Sequence, residues 1–294
     1  MLETYAFISD RSVASSAAVF ALALVAYAGL WAIDRHHRVG SDDSSRPRQL
    51  AARLGASLTT LAWALLLVAV IGRALASQRV PWGNMYEFAL VGTLGMVGLY
   101  LALLRPLSAS WLGLPVTTVA LASLMLASLL LYAPAGPLVP ALQSYWLVVH
   151  VAAAILAISA FALGALTAGL YLVRERQERR GGDPERTALP TAAALDRLTY
   201  RIHAFAFPVW TFAALIAGPI WAKYAWGRYW GWDPKEVWAF ITWVVYAAYL
   251  HSRATAGWSR RRSAVVALVG FATVLFDFIG INVFISGLHS YAGI

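Results

Sequence analysis

The chain contains no cysteine in 294 residues. That excludes disulfides, thiol nucleophiles, a covalently held haem and thiolate-ligated iron–sulfur clusters. Charge is also scarce. Asp, Glu, Lys and Arg make up 13% of the chain, well short of the roughly 25% of a soluble domain. No fixed-period repeat, phosphate-cradling glycine loop or nucleic-acid module is present. What is there is apolar: 60% of residues are hydrophobic and mean hydropathy is +0.65. The composition specifies an all-α polytopic integral membrane protein.

Crossing a bilayer takes about 20 apolar residues of helix, enough to span ~30 Å of hydrocarbon. Eight such runs are expected, near Val13–Ile33, Leu54–Ala76, Met85–Leu104, Leu112–Tyr132, Tyr145–Val173, Ala204–Trp221, Glu236–His251 and Ala264–Phe284. The net charge of +9 is not a nucleic-acid signature, because its sources are confined to particular connections. Arg35, Arg38, Arg46, Arg48 and Arg53 follow the first run. Arg174, Arg176, Arg179, Arg180, Arg186, Arg197 and Arg201 follow the fifth, and Arg253, Arg260, Arg261 and Arg262 the seventh. The positive-inside rule puts these connections in the cytoplasm and both termini outside. Glu3 and Asp10 precede the first run without a basic leader, so that run is expected to be an uncleaved helix. Residues 1–294 form a single membrane domain in this reading, with four N-terminal helices over 13–132 and a core over 141–294. The one long polar segment, Arg174 to Arg201 around Gly181-Gly182-Asp183-Pro184, reads as a solvated cytoplasmic connector.

The core contains Trp226-Gly-Arg-Tyr-Trp230-Gly-Trp232-Asp233-Pro-Lys-Glu236-Val-Trp238. Single aromatics beside a span, such as Trp221, Tyr224 and Trp258, belong to the interfacial belt. Four tryptophans within thirteen positions exceed what a belt needs and offer a surface for a large flat ligand. Asp233 fits a helix N-cap, Pro234 the first helical position and Glu236 a capping-box acid. Capping and direct ligand contact both remain open for Asp233. Trp226 and Trp230, four apart, share a face if the stretch is helical, and Trp232 then faces elsewhere. Lys223, Arg228 and Lys235 are nearby cations for acidic groups on a ligand, or they snorkel to headgroups.

Histidine is the remaining metal-ligand type, with six copies. His36 and His37 fall in the first basic connection, where they read as solvated loop residues. His203, near the inner start of the sixth run, reads as interfacial and structural. His150 lies just inside the outer end of the fifth run, and His289 follows the eighth, so both reach the level of the tryptophans. Two imidazoles approaching one haem iron from opposite faces would saturate it. His251 lies at the inner end of the seventh run, with no partner ligand evident beside it.

This tryptophan run resembles the WWD signature of the haem-handling protein superfamily. Its continuation to His251 and the tail Gly287-Leu288-His289-Ser290-Tyr291 resemble the CcsA-type (also CcsB or ResC) cytochrome c biogenesis proteins of System II. Pro81-Trp-Gly-Asn84-Met85-Tyr86-Glu87-Phe88 and Leu142-Gln-Ser-Tyr-Trp146 carry the same resemblance, which covers about Pro81 to the C-terminus.

The resemblance implies haem export across a bacterial cytoplasmic membrane and covalent attachment of the haem to apocytochrome c. It implies haem b held non-covalently in transit, a ResB-type membrane partner, an apocytochrome with a Cys-X-X-Cys-His motif, and thioredoxin-like reductants that supply the thiol chemistry this chain lacks. His150 and His289 would be outer axial ligands, and His251 a transmembrane ligand completed by the partner. Trp226, Trp230, Trp232, Trp238, Asp233 and Arg228 would form the ligand surface. No acid, base or nucleophile stands out, so catalysis is expected to be positional, by holding vinyls, thiols and iron together. His203 has no counterpart in that ligand set. The alternatives are a haem transporter without synthase activity, a System I haem-delivery protein, and an electron-transfer b-type cytochrome.

Overall fold

A computed structural model describes residues 1–36, 46–136, 144–181, 187, 189–255 and 257–289. His37, Arg38, Leu142, Gln143, Gly182 to Arg186, Ser290 and Tyr291 lie outside the described residues. Helices α1 (Leu2–His36), α2 (Arg46–Ser77), α3 (Met85–Leu104), α4 (Gly113–Leu130), α5 (Tyr145–Arg179), α6 (Ala192–Thr211), α7 (Gly218–Trp226), α8 (Pro234–Ala254), α9 (Arg260–Leu275) and α10 (Ile281–Phe284) follow one another, with no strand among the described residues. The protein is an all-α polytopic membrane protein. A bilayer offers no water to the backbone, and a helix satisfies its own peptide groups.

Seven helical stretches among the described residues are long and apolar enough to cross a membrane. In them α6 and α7 form one continuous span, Ala192–Trp226, and α9 runs on through α10, Arg260–Phe284. The expected span at α8 is the one outside this set, because Lys235, Glu236 and its tryptophans and tyrosines lower its hydropathy. Both ends of α8 are nevertheless tied to α9 or its tail: Asp233 accepts from Leu288 N–H at one end, and Ser252 meets Ser263 at 3.0 Å at the other. The two elements are therefore antiparallel neighbours of similar depth.

Interhelical contacts pair small or hydroxylic residues, as expected where helix association lacks a hydrophobic drive. Ser9 and Ser16 on α1 donate to Ala69 and Ala62 carbonyls on α2, both at 2.8 Å. The Tyr27 and Tyr100 hydroxyls meet at 2.9 Å between α1 and α3, and Thr242 donates to Thr273 at 3.0 Å between α8 and α9.

A buried ion cluster fixes the loop that enters α3. Glu87 accepts from Arg73 Nε at 3.0 Å and Arg79 at 2.7 Å, and also from Gly83 N–H at 2.7 Å. Arg73 also donates to the Ala133 carbonyl and Arg79 to that of Gly136 at 2.9 Å. Asn84 caps α3 by accepting from Glu87 N–H at 2.9 Å. Buried ions survive only when paired and hydrogen-bonded on all sides, so this network sets the place of Trp82 and Met85.

Two stretches widen into π-helix: Phe212–Ala217 between α6 and α7, and Phe276–Gly280 between α9 and α10. Pro208 lies one turn before the first, where its missing N–H frees an upstream carbonyl. Such segments gather at functional sites. Here each has a carbonyl that takes a side-chain donor, Ala213 from His150 and Phe278 from Asn282.

Candidate functional site

A mostly apolar cavity of about 330 Å³ opens between α3, α4, α5, the α6–α7 span, the start of α8 and the second π segment. Its volume falls within the ~300–1,000 Å³ of small-molecule and cofactor sites. His150 and His289 both line it, as do Trp82, Trp226, Trp230 and Lys235.

The tautomers of the two histidines follow from their partners. His150 Nδ1 lies 2.9 Å from the Ala213 carbonyl, an acceptor only, so Nδ1 carries the proton and Nε2 the lone pair. Gly218 permits the approach, since a β-carbon there would sit 3.2 Å from the imidazole. His289 Nδ1 lies 2.7 Å from Asp233 Oδ2 and donates to it, which places its lone pair on Nε2 as well. Metal-binding histidines show this arrangement, with the second nitrogen donating to a carbonyl or carboxylate that fixes ring and tautomer. Trp221 joins the pair, its ring centroid 5.8 Å from that of His150 and 5.7 Å from that of His289. Trp226 packs edge-on to His289 at 4.9 Å.

Asp233 caps and positions at once. It accepts from Lys235 N–H at 3.2 Å, and Glu236 reaches back to Asp233 N–H at 3.0 Å, completing a capping box. The same carboxylate accepts from Leu288 N–H at 2.7 Å and from His289. Gly287 makes room, because a β-carbon there would lie 2.7 Å from Asp233 Oδ1. The start of α8 and the chain after α10 are thus bound through one side chain. Burial by itself would raise the Asp233 pKa, but the hydrogen bonds from His289 and Leu288 hold it below the usual value. Burial lowers the pKa of His289, partly countered by Asp233, so the neutral, ligating form is favoured.

The tryptophans divide. α7 ends at Trp226 and Gly227 turns left-handed, so residues 227 to 233 are not helical and the expected shared face of Trp226 and Trp230 does not come from a helix. Both still line the cavity. Trp232 is 68% exposed, has a φ of 58° and meets Trp230 edge-on at 5.8 Å. Trp238 packs on Phe276 at 4.2 Å, and neither it nor Trp232 or Arg228 lines the cavity. Among the described residues lining it, Lys235 is the only lysine or arginine.

His251 is exposed in the last turn of α8, about 24 Å along the helix from Lys235 at 1.5 Å per residue. It does not reach the cavity. His203, expected to have an interfacial structural role, is packed among the helices. It is fully buried, donates Nδ1–H to the Thr199 carbonyl at 2.7 Å and packs against Phe161, Tyr246 and Tyr249. Gly164 opposite leaves it room, which a reading of depth along one helix does not detect.

Asp277 was not singled out in the sequence. It is 6% exposed, faces the cavity from the second π segment, and its Oδ1 has no hydrogen-bond partner. An acidic residue inside an apolar run was its one available signal.

Residues 82–289 match the Cytochrome C assembly protein family. The chain is 36% identical to the cytochrome c biogenesis protein CcsA of Synechococcus sp. (strain JA-3-3Ab), over 82% of this chain and 84% of that one. It is 32% identical to CcsA of Gloeobacter violaceus, over 93% and 94%, and 35% identical to CcsA of Guillardia theta, over 81% and 85%. A solved structure of the cytochrome c haem lyase CcmF shares the fold, with a TM-score of 0.69 at 18% identity. That likeness covers 93% of this chain and 46% of the lyase, so the chain spans about half the lyase's length.

Proposed function

The chain belongs to the cytochrome c assembly protein family as a CcsA-type biogenesis protein, and from that premise we propose that it holds haem at the outer face of a bacterial cytoplasmic membrane for covalent attachment to apocytochrome c. One observation carries this reading: two imidazoles line one apolar cavity, each with Nδ1–H donated away and its lone pair on Nε2. The donor set fits a bis-imidazole iron, and the tryptophans supply apolar ring surface.

In this reading His150 and His289 hold the iron, while Trp226 and Trp230 bear on the porphyrin. Asp233 orients His289. Trp232, Trp238 and Arg228 support the segment from outside the cavity. When haem is bound, its two vinyl groups accept the two thiols of a Cys-X-X-Cys-His motif; sulfur bonds to the inner vinyl carbon and the thiol proton goes to the outer one. The chain contributes orientation and exclusion of water, worth up to ~7–11 kcal/mol where geometry is near-attack. Separate thioredoxin-like proteins keep the thiols reduced. His251 belongs to an inner haem site on the cytoplasmic side, completed by a ResB-type partner, with α8 as an eighth span.

The test is co-expression with the ResB-type partner and an apocytochrome, followed by a haem spectrum of the purified complex and a stain for covalent haem. Covalent product supports synthesis. Haem on the complex without product reduces the assignment to transport, and two stable haems that turn over with quinone favour an electron-transfer cytochrome instead.

A further inference from the structure

Apart from the two histidines, the polar groups facing the cavity include an ammonium and a carboxyl that lack each other's contact. Lys235 Nζ donates to Asn282 Oδ1 at 3.0 Å and lies 5.6 Å from the centre of the Phe278 ring. Asp277, one residue before Phe278, lines the cavity and has a buried Oδ1 with no hydrogen-bond partner. A buried polar atom left unmatched costs free energy, and a buried ammonium costs more unless an anion answers it. Structure that tolerates both at one place in an apolar cavity is shaped for a ligand that answers both. The complementary group is a carboxyl: one oxygen accepts from the ammonium, and a proton is held between the other oxygen and Asp277, because two bare carboxylates in contact repel.

We propose that Lys235 and Asp277 form a carboxyl-recognition site that fixes which edge of the cavity's occupant is held. This rests on the haem reading above and adds orientation to it. Protoporphyrin carries two propionates on one edge and its two vinyls on the other side of the ring. Anchoring a propionate at Lys235 and Asp277 therefore leaves the vinyl side for the incoming thiols. Asn282 is a positioning residue that holds the amine over Phe278, and it also donates to Met85 Sδ at 3.0 Å, linking the site to the loop fixed by Glu87.

The experiment needs no mutation at first. The purified complex is stripped and titrated with ferric protoporphyrin IX and with its dimethyl ester, which keeps ring, iron and vinyls but cannot bind as an acid. The expected result is a bis-histidine Soret band with both, and about 10- to 100-fold tighter binding of the diacid, the range of a charge-assisted hydrogen bond. Equal affinities would overturn the proposal while leaving the haem site intact. Binding of neither porphyrin would remove the haem reading and this proposal together. Lys235→Met should then erase the preference for the diacid without shifting the Soret band. Asp277→Asn, which keeps a donor, should retain more of it than Asp277→Leu. A Lys235→Met complex that folds and still prefers the diacid would count against the assignment.

Discussion

Replacing Asp233 separates its two jobs. In Asp233→Ala the helix cap disappears, at about 1 kcal/mol. The N–H of Leu288 and Nδ1–H of His289 also lose an ionised acceptor, each such bond being worth about 1.5–3 kcal/mol. Asp233→Asn behaves differently, because asparagine caps well but has one oxygen where the aspartate uses two. In either flip its amide group points an N–H at another N–H. With the oxygen on the Lys235 and His289 side, the cap survives and the Leu288 bond is lost, along with the negative charge that holds the His289 tautomer. Loss of a partner of this kind costs about 10- to 100-fold in metal affinity. Both variants should therefore bind haem that much more weakly in a Soret titration of the complex. Thermal unfolding followed by size-exclusion chromatography should rank wild type above Asp233→Asn and Asp233→Ala lowest, the last gap being the cap at about 1 kcal/mol plus the His289 bond at about 0.5–1.5 kcal/mol. Wild-type haem affinity in Asp233→Asn, with only the melting temperature lowered in Asp233→Ala, would refute the positioning role and leave a cap alone.

His150→Ala or His289→Ala should abolish holocytochrome formation, with added imidazole restoring part of it; full activity in both ends the ligand assignment. Trp230→Ala should lower haem occupancy in the outer site, whereas Trp232→Gly should leave it unchanged and raise the melting temperature, since a bulky residue at φ 58° stores about 1–3 kcal/mol of strain. Haem loss in the second variant would show that the exposed ring takes part. The folded pKa of His289 lies below 6.5, so the unfolded chain binds the proton first; stability should fall as pH drops from 6.5 towards that lower value, and haem affinity should fall only once pH reaches it. Asp233, held below 3.8, loses its contribution only at still lower pH, and a haem-free complex whose stability does not fall on acidification below pH 6.5 would contradict this. His251→Ala should deplete haem throughout the complex while His289→Ala spares an inner haem; a His251→Ala complex with normal haem and normal product would leave entry to the partner chain.

Much of this was legible because membrane segments announce themselves by length and composition. The caps at Asn84, Ser144 and Asp233 fall where Ser, Asn or Asp precedes an apolar run. The Asp233–Glu236 box was visible from residue types and spacing alone. Contacts between distant segments were not. Nothing local says that Asp233 also binds the tail 55 and 56 residues later, or that Arg73 and Arg79 meet on Glu87. Depth counted along one helix does not reveal that His203 is buried by Phe161, Tyr246 and Tyr249 from two others. Trp226 and Trp230 were grouped by a helical period that stops at Gly227. Asp277 carried a signal as an acid inside an apolar run, but only the cavity beside it shows what it lines.

The two π segments have a consequence for sequence variation. Each carries one residue more than an α-helical turn and absorbs it in a wider turn, so a single deletion within Phe212–Ala217 would restore ordinary winding with the flanking faces nearly in phase, whereas a deletion in the α6 turns before it would swing everything downstream by about 100°, one residue's worth at 3.6 per turn. Gly218 and Trp226 would turn away from His150. Length and hydropathy would barely change, and the span would still insert. A loss of function of this kind would be silent to every measure that ignores rotation, whereas a related chain that lacks only the extra π residue should keep the angular phase of its aromatic side chains.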